Sequence, residues 1–178
     1  MFKIVRRNLQ NHEAQTIVDE IKRTPNITGY SQKEWLSFKE VLIAENSEGK
    51  MIGVCLYYDF HRDWSFISVL LTLKPFRNMG IGQSLFKIAC DNILNDGKNI
   101  YTASKNPIVI KMMKKMDFIL FDTLFKLPEE YKEYEFIFTL RLINWILSSY
   151  RIKELIRKAK LYGVQSNFVY GIKSYKKN

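Results

Sequence analysis

The residues with the most telling chemical spacing lie in the stretch TLKPFRNMGIGQS, residues 72–84. Arg77, Gly80 and Gly82 stand as Arg-x-x-Gly-x-Gly, after an apolar run that stops at Pro75 and before a helical pattern. Glycine reaches positive φ and lets the backbone approach a ligand closely. The first N–H groups of a helix have no internal partner and sit at the positive end of its dipole. A loop of this form presents several N–H donors to a diphosphate. Two commoner nucleotide loops are excluded. A P-loop needs lysine and then Ser or Thr after its last glycine, and here Gln83 follows Gly82. The dinucleotide fingerprint needs a third glycine, which Ser84 and Leu85 do not supply.

A second group with chemical potential is the stretch DFHRD, which brings Asp59, His61 and Asp63 to one turn. An imidazole titrates near neutral pH and could draw a proton from a substrate directly or through water. A solvated polar turn explains the same residues more plainly. Tyr57, Tyr58, Trp64 and Phe66 flank the turn and either line an acceptor pocket or fill core. The two histidines, His12 and His61, are far apart in sequence, so no metal-ligand spacing appears. Cys55 and Cys90 each fall inside an apolar run and read as reduced core thiols.

The elements that must position these groups follow from periodicity. FKIVR (2–6) alternates as a strand. NHEAQTIVDEIKRT follows as a helix, with Asn11 as its expected cap and Ala14, Ile17, Val18 and Ile21 on one face. Ser31 and Glu34 have capping-box spacing for a second helix. VLIAEN and KMIGVCLYYDF form a hairpin through SEGK, and WSFISVLLTL is the next strand. The loop opens into a helix with Ile81, Leu85, Ile88, Ala89 and Ile93 on one face, stopping at Gly97. NIYTAS is a short strand, and NPIVIKMMKKMDF a helix with proline near its start. ILFDTLFKL and YEFIFTLRL read as two final strands. The order β-α-α-β-β-β-α-β-α-β-β implies a mixed sheet with helices on both faces.

Beyond residue 142 a basic amphipathic helix is expected, with Trp145, Ile152, Ile156 and Ala159 on one stripe and Lys153, Arg157 and Lys160 on another. The tail VQSNFVYGIKSYKKN adds a short strand or remains a tail. The expected organisation is a domain over 1–142 and a basic helical extension over 143–178, packed on the domain or at an interface.

The 178 residues carry a net charge of +10, distributed unevenly. Residues 1–60 are neutral, whereas residues 141–178 hold nine basic groups against the single acid Glu154. Such a surface attracts polyanions or keeps the protein soluble. The N-terminus has no apolar run long enough for a signal peptide, and the longest apolar stretch, 136–147, is too short for a bilayer and contains Arg141. A soluble, cytoplasmic protein is expected.

The chain resembles the GNAT superfamily, the Gcn5-related N-acetyltransferases, over residues 2–142. The matching pieces are VLLTLKPFRNMGIGQSLF and NPIVIKMMKKMDF. The resemblance implies an α/β (α+β) fold with a mixed, mostly antiparallel twisted sheet of about seven strands, helices on both faces and the C-terminal amphipathic helix added. It also implies acetyl-CoA as donor. The backbone of Leu71, Thr72 and Leu73 would pair with the pantetheine arm of coenzyme A. Amides of Asn78, Met79, Gly80, Ile81, Gly82 and Gln83 would hold the diphosphate, with Arg77 adding charge. Asn106 would contact the arm or simply cap its helix.

The reaction implied is direct attack of a neutral amine on the thioester, with a backbone N–H near Leu71 stabilising the oxyanion. The chain departs from the family pattern where proton transfer is concerned. Many members carry a tyrosine four residues before a Gly-Phe pair; here these positions are Met113, Asp117 and Phe118. Met113 would sit against the cofactor with no proton to give. The loop between Pro75 and Arg77 is one residue shorter than usual. Some members have a glutamate in the strand before the loop, and WSFISVLLTL has no carboxylate. Tyr101, His61 and Asp63 are the substitutes on offer, each with a plain structural reading.

The acceptor would be a small amine, a protein lysine or N-terminus, or an aminoacyl-tRNA. A non-catalytic acyl-CoA-binding module is the main rival. Nucleic-acid binding is less favoured, because no aromatic-rich RNA motif accompanies the charge. A homodimer through the Trp145 face is compatible with the pattern.

Overall fold

Strand β1 (Lys3–Arg7) opens the chain, and helices α1 (Asn11–Lys22) and α2 (Gln32–Ser37) follow. The computed structural model describes residues 1–163 and 167–175. β2 (Val41–Glu45), β3 (Met51–His61) and β4 (Trp64–Thr72) form an antiparallel meander. α3 (Ile81–Asn95), β5 (Asn99–Ser104), α4 (Pro107–Lys115) and β6 (Ile119–Phe121) complete the crossover region. α5 (Glu135–Ile146), α6 (Ser149–Tyr162) and β7 (Val169–Lys173) end the described chain. The seven strands lie in the order β1-β2-β3-β4-β5-β7-β6. Every neighbouring pair is antiparallel except β4 and β5.

Local signals act where they were expected. Ser31 and Glu34 close the capping box, with Glu34 N–H on Ser31 Oγ at 3.3 Å and Ser31 N–H on Glu34 Oε2 at 2.8 Å. α1 begins one residue earlier than read: Gln10 is its cap, and its N–H donates to Glu13 Oε2 at 2.9 Å. The SEGK hairpin turns on Gly49, at φ +76°, with Asn46 Oδ1 accepting the Glu48 and Lys50 N–H groups.

One face of the sheet is covered by α1 and α2, whose Ala14, Ile17, Ile21 and Trp35 pack on Val41, Ile43, Val54, Leu56 and Leu71. α3 covers the other face with Ile81, Leu85, Phe86, Ala89 and Ile93. It sits close because β3 has Gly53 beneath it; a Cβ there would come within 3.0 Å of Ile81 Cγ2 and 3.1 Å of Leu71 O. Cys55 and Cys90 are buried free thiols, and burial pushes both pKa values up.

Two expectations are corrected. Of the two final strands, ILFDTLFKL is strand only over Ile119–Phe121 and turns into a short 3-10 helix at Leu124–Lys126, and YEFIFTLRL is not a strand: residues 135–142 are the first two turns of α5. Its aromatic and β-branched composition resembles a strand, but Phe138, Leu142 and Trp145 recur at helical spacing, and Phe138 is fully buried. The place of the seventh strand is taken by β7, which inserts between β5 and β6. The rest of that tail, 164–166 and 176–178, lies outside the described residues.

The second correction concerns the basic helix. On α6 the expected apolar stripe faces outward, with Ile152 41% and Ile156 53% exposed, while Arg151, Glu154 and Lys158 are buried. Arg151 pairs with Glu34 at 2.5 Å and donates to Trp145 O at 3.1 Å. Arg157 bonds Glu154 and the Lys22 carbonyl, both at 2.8 Å. Lys158 Nζ donates to Ile21 O at 2.7 Å and also to the carbonyls of Thr24 and Ile27. Burial lowers the Lys158 pKa to about 8. Much of the helix's charge therefore clamps the α1–α2 connection, whose Asn26 and Ile27 wall the cleft described next.

Candidate functional site

β4 and β5 begin parallel and then part. Their register runs from Trp64↔Asn99 to Ile67↔Thr102 and stops, although β4 continues to Thr72 and β5 to Ser104. The last rung is marked by a buried side-chain bond, Thr102 Oγ1 to Ile67 O at 2.9 Å. At the same level β4 carries a bulge. Leu56 pairs with Val69 and Tyr57 with Ile67, so Ser68 has no partner on β3.

The bulge decides which peptide groups face the opening. Strand peptide groups alternate between neighbours. Leu73 N–H donates to Ile52 O at 3.0 Å, so Leu73 and, by alternation, Leu71 turn toward β3. Leu70 and Thr72 therefore direct theirs into the gap beside β5. Thr72 O there accepts from Arg77 Nε at 3.2 Å. Of the expected trio Leu71, Thr72 and Leu73, only Thr72 keeps its peptide group on the gap; Leu71 and Leu73 turn theirs to β3, because an extra residue at Ser68 inverts the alternation.

The glycine loop closes one end of the gap. Asn78 (φ +65°) and Gly80 (φ +77°) both adopt the left-handed conformation, and α3 starts at Ile81. Ser84 N–H is the first to close the helix, on Gly80 O at 3.0 Å. Among the described residues the N–H groups of Ile81, Gly82 and Gln83 have no acceptor. A Cβ on Gly80 would meet no atom within 4 Å, so the glycine serves backbone conformation and leaves open space in front of the loop.

Two cavities meet at the gap. The first, about 800 Å³, is lined by Thr72, Asn78, Gly80, Ile81, Gly82, Gln83 and Asn106. Arg23, Lys74, Arg77, Lys111 and Lys115 also line it, against the single acid Glu20. Arg77 is held to Glu20 at 2.8 Å. The second, about 290 Å³, is lined by Phe66 to Leu70 of β4, Tyr101 to Ser104 of β5, and Arg141, Trp145 and Leu155 from the C-terminal helices. Leu70, Asn106, Phe86 and Val109 border both cavities. Asn106 caps α4, with Oδ1 accepting Ile108 N–H at 2.9 Å. Its amide group remains available to the cleft.

Other sequence candidates lie elsewhere. Leu73 and Met79 line neither cavity, and Leu71 lines only the larger one. Met113 is fully buried beneath β7, where a Cβ on Gly171 would approach its sulfur to 2.9 Å. Met112 and Met116 face the larger cavity instead. Asp117 takes φ +56°, so an aspartate fills the left-handed position where the family pattern has glycine. His61 and Asp63 lie at the β3–β4 turn, beyond Trp64, which is itself four strand residues or roughly 13 Å from Ser68, and line neither cavity. The His61 ring packs on Tyr134 at 6.1 Å.

Tyr101 does line the smaller cavity. Its ring stacks on Phe138 at 4.5 Å and 6°, and burial raises its pKa. Ser68 faces the same cavity and bonds Tyr30 at 2.7 Å. Among the described residues no carboxylate or imidazole lines this cavity. Among the described residues no cluster of three or more His, Cys, Asp or Glu could hold a metal ion. No described helix is long and apolar enough to cross a membrane. Sequence reasoning missed Leu70, Ser68 and Arg141; a bulge has no composition signal, and Arg141 sat in a segment read as strand.

A family model described as the acetyltransferase (GNAT) family matches residues 9–118. The chain belongs to the GNAT acetyltransferase family. Solved structures share the GNAT fold with it. Mycobacterium tuberculosis Rv2747, in complex with CoA, superposes with a TM-score of 0.63 at 11% identity, covering 93% of this chain and 97% of that one. The N-acetylglutamate synthase of Neisseria gonorrhoeae, complexed with coenzyme A and N-acetyl-glutamate, gives 0.62 at 15% identity, covering 97% of this chain and 35% of that one. This GNAT chain thus spans about a third of that synthase. The ribosomal-protein-S18-alanine N-acetyltransferase of Escherichia coli gives 0.54 at 14% identity, covering 69% and 79%. At these identities the likeness is one of fold. No curated protein sequence matches the chain.

Proposed function

We propose that this GNAT acetyltransferase moves the acetyl group of acetyl-CoA to a primary amine by direct transfer. The observation that carries the reading is the parting of β4 from β5 beyond Ile67 and Thr102, which leaves Leu70 bordering both cavities. The larger cavity fits coenzyme A. It offers three unpaired N–H groups at a helix start, a basic lining and a free strand edge. Ile81, Gly82 and Gln83 would hold the diphosphate, and Lys74, Lys111 and Lys115 would neutralise phosphate charge. The peptide groups of Leu70 and Thr72 would pair with the amides of the pantetheine arm, beside the Asn106 side chain.

Bound acetyl-CoA supplies an acetyl group activated as a thioester. The smaller cavity then admits the amine. Leu70 N–H is positioned to donate to the thioester oxygen as charge develops there. The acceptor nitrogen bonds to the acetyl carbon as the carbon–sulfur bond breaks, and one nitrogen proton ends on the thiol. No carboxylate or imidazole among the described lining residues of the smaller cavity can take the extra proton of an ammonium, so the amine enters neutral. A thiol of ordinary pKa, about 8.5, leaves fairly well unaided. Tyr101 is the side chain available to protonate it, where a positioned acid is worth roughly 10²- to 10⁴-fold.

Purified protein, labelled acetyl-CoA and a panel of amines test the reading. Thiol release that requires an amine, and rises with pH as that amine deprotonates, is the expected result. A second reading, a non-catalytic acyl-CoA-binding module, is favoured by the burial of Met113 at the family's acid position. Tight coenzyme A binding with no release above background across the panel would establish that reading instead.

A further inference from the structure

Arg141 is the cation that the smaller cavity leaves unpaired. It projects from α5, with its guanidinium carbon 3.3 Å from the centre of the Phe66 ring and 5.4 Å from that of Tyr101. Its Nε is buried and has no hydrogen-bond partner among the described residues. The other arginines withdrawn from the surface, Arg7, Arg151 and Arg157, each hold a carboxylate. Arg141 pairs with none of the described acids. Arg141 is half-buried, and holding a guanidinium partly out of water without a counter-charge costs free energy, of which stacking on an aromatic face returns part. Stacking also fixes the plane of the group. With Phe66 on one face, the N–H edge remains for an in-plane, bidentate partner, which is the geometry of a carboxylate.

Resting on the acetyltransferase reading above, we propose that Arg141 binds a carboxylate on the acceptor, which is a small amino-carboxylate rather than a polyamine or an uncharged amine. The cavity's size, about 290 Å³, suits a small molecule. Phe66, Tyr101 and Trp145 wall it around Arg141, and none of its described lining residues is acidic, so it opposes no anion and offers no counter-charge to a second ammonium. Arg141 acts here as a specificity-determining residue and takes no part in proton transfer.

The test compares leucine, phenylalanine and β-alanine with their carboxamides, together with putrescine, in wild type and in Arg141→Met and Arg141→Lys. Wild type is expected to favour each carboxylate over its amide by roughly 10- to 100-fold in kcat/KM, as loss of a charged hydrogen-bonded pair implies. Arg141→Met should raise the acceptor KM by a similar factor and erase the discrimination. Arg141→Lys should restore part of it. Coenzyme A affinity should be unchanged in both, which also reports that the variants are folded. Equal use of amides, preference for putrescine, or discrimination that survives Arg141→Met overturns the proposal. Weakened coenzyme A binding in Arg141→Met overturns it too, since it would assign Arg141 to the donor. If no amine is acetylated, the catalytic reading fails separately. Calorimetric titration of the same amino-carboxylates and amides into the coenzyme A complex then decides: carboxylate-selective binding lost in Arg141→Met supports the proposal, and its absence refutes it.

Discussion

Thr102 Oγ1 donates to Ile67 O across 2.9 Å, and with that bond the β4–β5 ladder ends. Both residues are buried, at 3% exposure each. The bond adds a donor to a carbonyl at the apex of the gap, on the last rung of the ladder. Thr102→Val keeps the shape and removes the donor. It should lower stability by about 1 kcal/mol, the net worth of a hydrogen bond. Denaturant unfolding measures this, and an unchanged midpoint would show that the hydroxyl is dispensable.

Gly80 tests the loop. Its φ of +77° strains any residue with a Cβ, by roughly 1–2 kcal/mol. The space beyond it is open, so Gly80→Glu should still fold. The new carboxylate would stand before the N–H groups of Ile81, Gly82 and Gln83. Coenzyme A binding should fall below detection by calorimetry while the thermal transition remains cooperative. Retained affinity would move the diphosphate site away from this loop.

Met113 marks the position where the family pattern expects a tyrosine. Restoring that residue should not restore an acid. Met113 is fully buried in a core cluster with Phe118, and Gly171 lies so close that a Cβ there would come within 2.9 Å of its sulfur. Met113→Tyr should overpack the core at a cost of about 1–3 kcal/mol, with no gain in turnover. A rise in kcat would mean that the side chain reaches the cleft.

The Arg7 cluster governs acid stability. Arg7 binds Glu13 at 2.6 Å and Glu45 at 2.8 Å, tying β1 to α1 and β2. Burial alone would raise the Glu13 pKa, but the hydrogen bonds from Arg7 and Gln10 N–H outweigh it and the net shift is downward. Glu45 is lowered chiefly by Arg7 and Lys3. A carboxylate with a depressed folded pKa contributes stability that is complete above its unfolded value, about 4.3, and is lost as pH falls through the folded one. Arg7→Met should therefore destabilise the protein near pH 7 and flatten its loss of stability below about pH 4. Parallel melting curves against pH for the two proteins check this; identical slopes would exclude the cluster.

Much of the framework was legible because its causes are local. The Ser31–Glu34 box, the Asn46–Lys50 turn and the Asn106–Pro107 helix start each depend on residues within one turn of chain. The Arg77, Gly80 and Gly82 spacing belongs to the same class, since a left-handed residue before a helix leaves the same N–H groups exposed in any fold. Periodicity misled where a segment's packing faces are set from afar. Tyr134–Leu142 has strand-like composition, yet it folds mainly as helix because β7 occupies the sheet position. α6 turns Arg151, Glu154 and Lys158 inward because Glu34 and three carbonyls wait there.

By itself, then, the amino-acid sequence determined the family, the glycine loop and the helix it opens. Only the tertiary structure decided which groups face the gap between β4 and β5. The bulge at Ser68 arises from the register between two strands, and it turns Leu70 rather than Leu71 into the gap. Met113 disappears beneath Gly171, and Arg141 reaches Phe66 from a helix more than seventy residues away in sequence. Each of these depends on contacts between distant segments, which the free energy of the whole packed chain selects and no local pattern encodes.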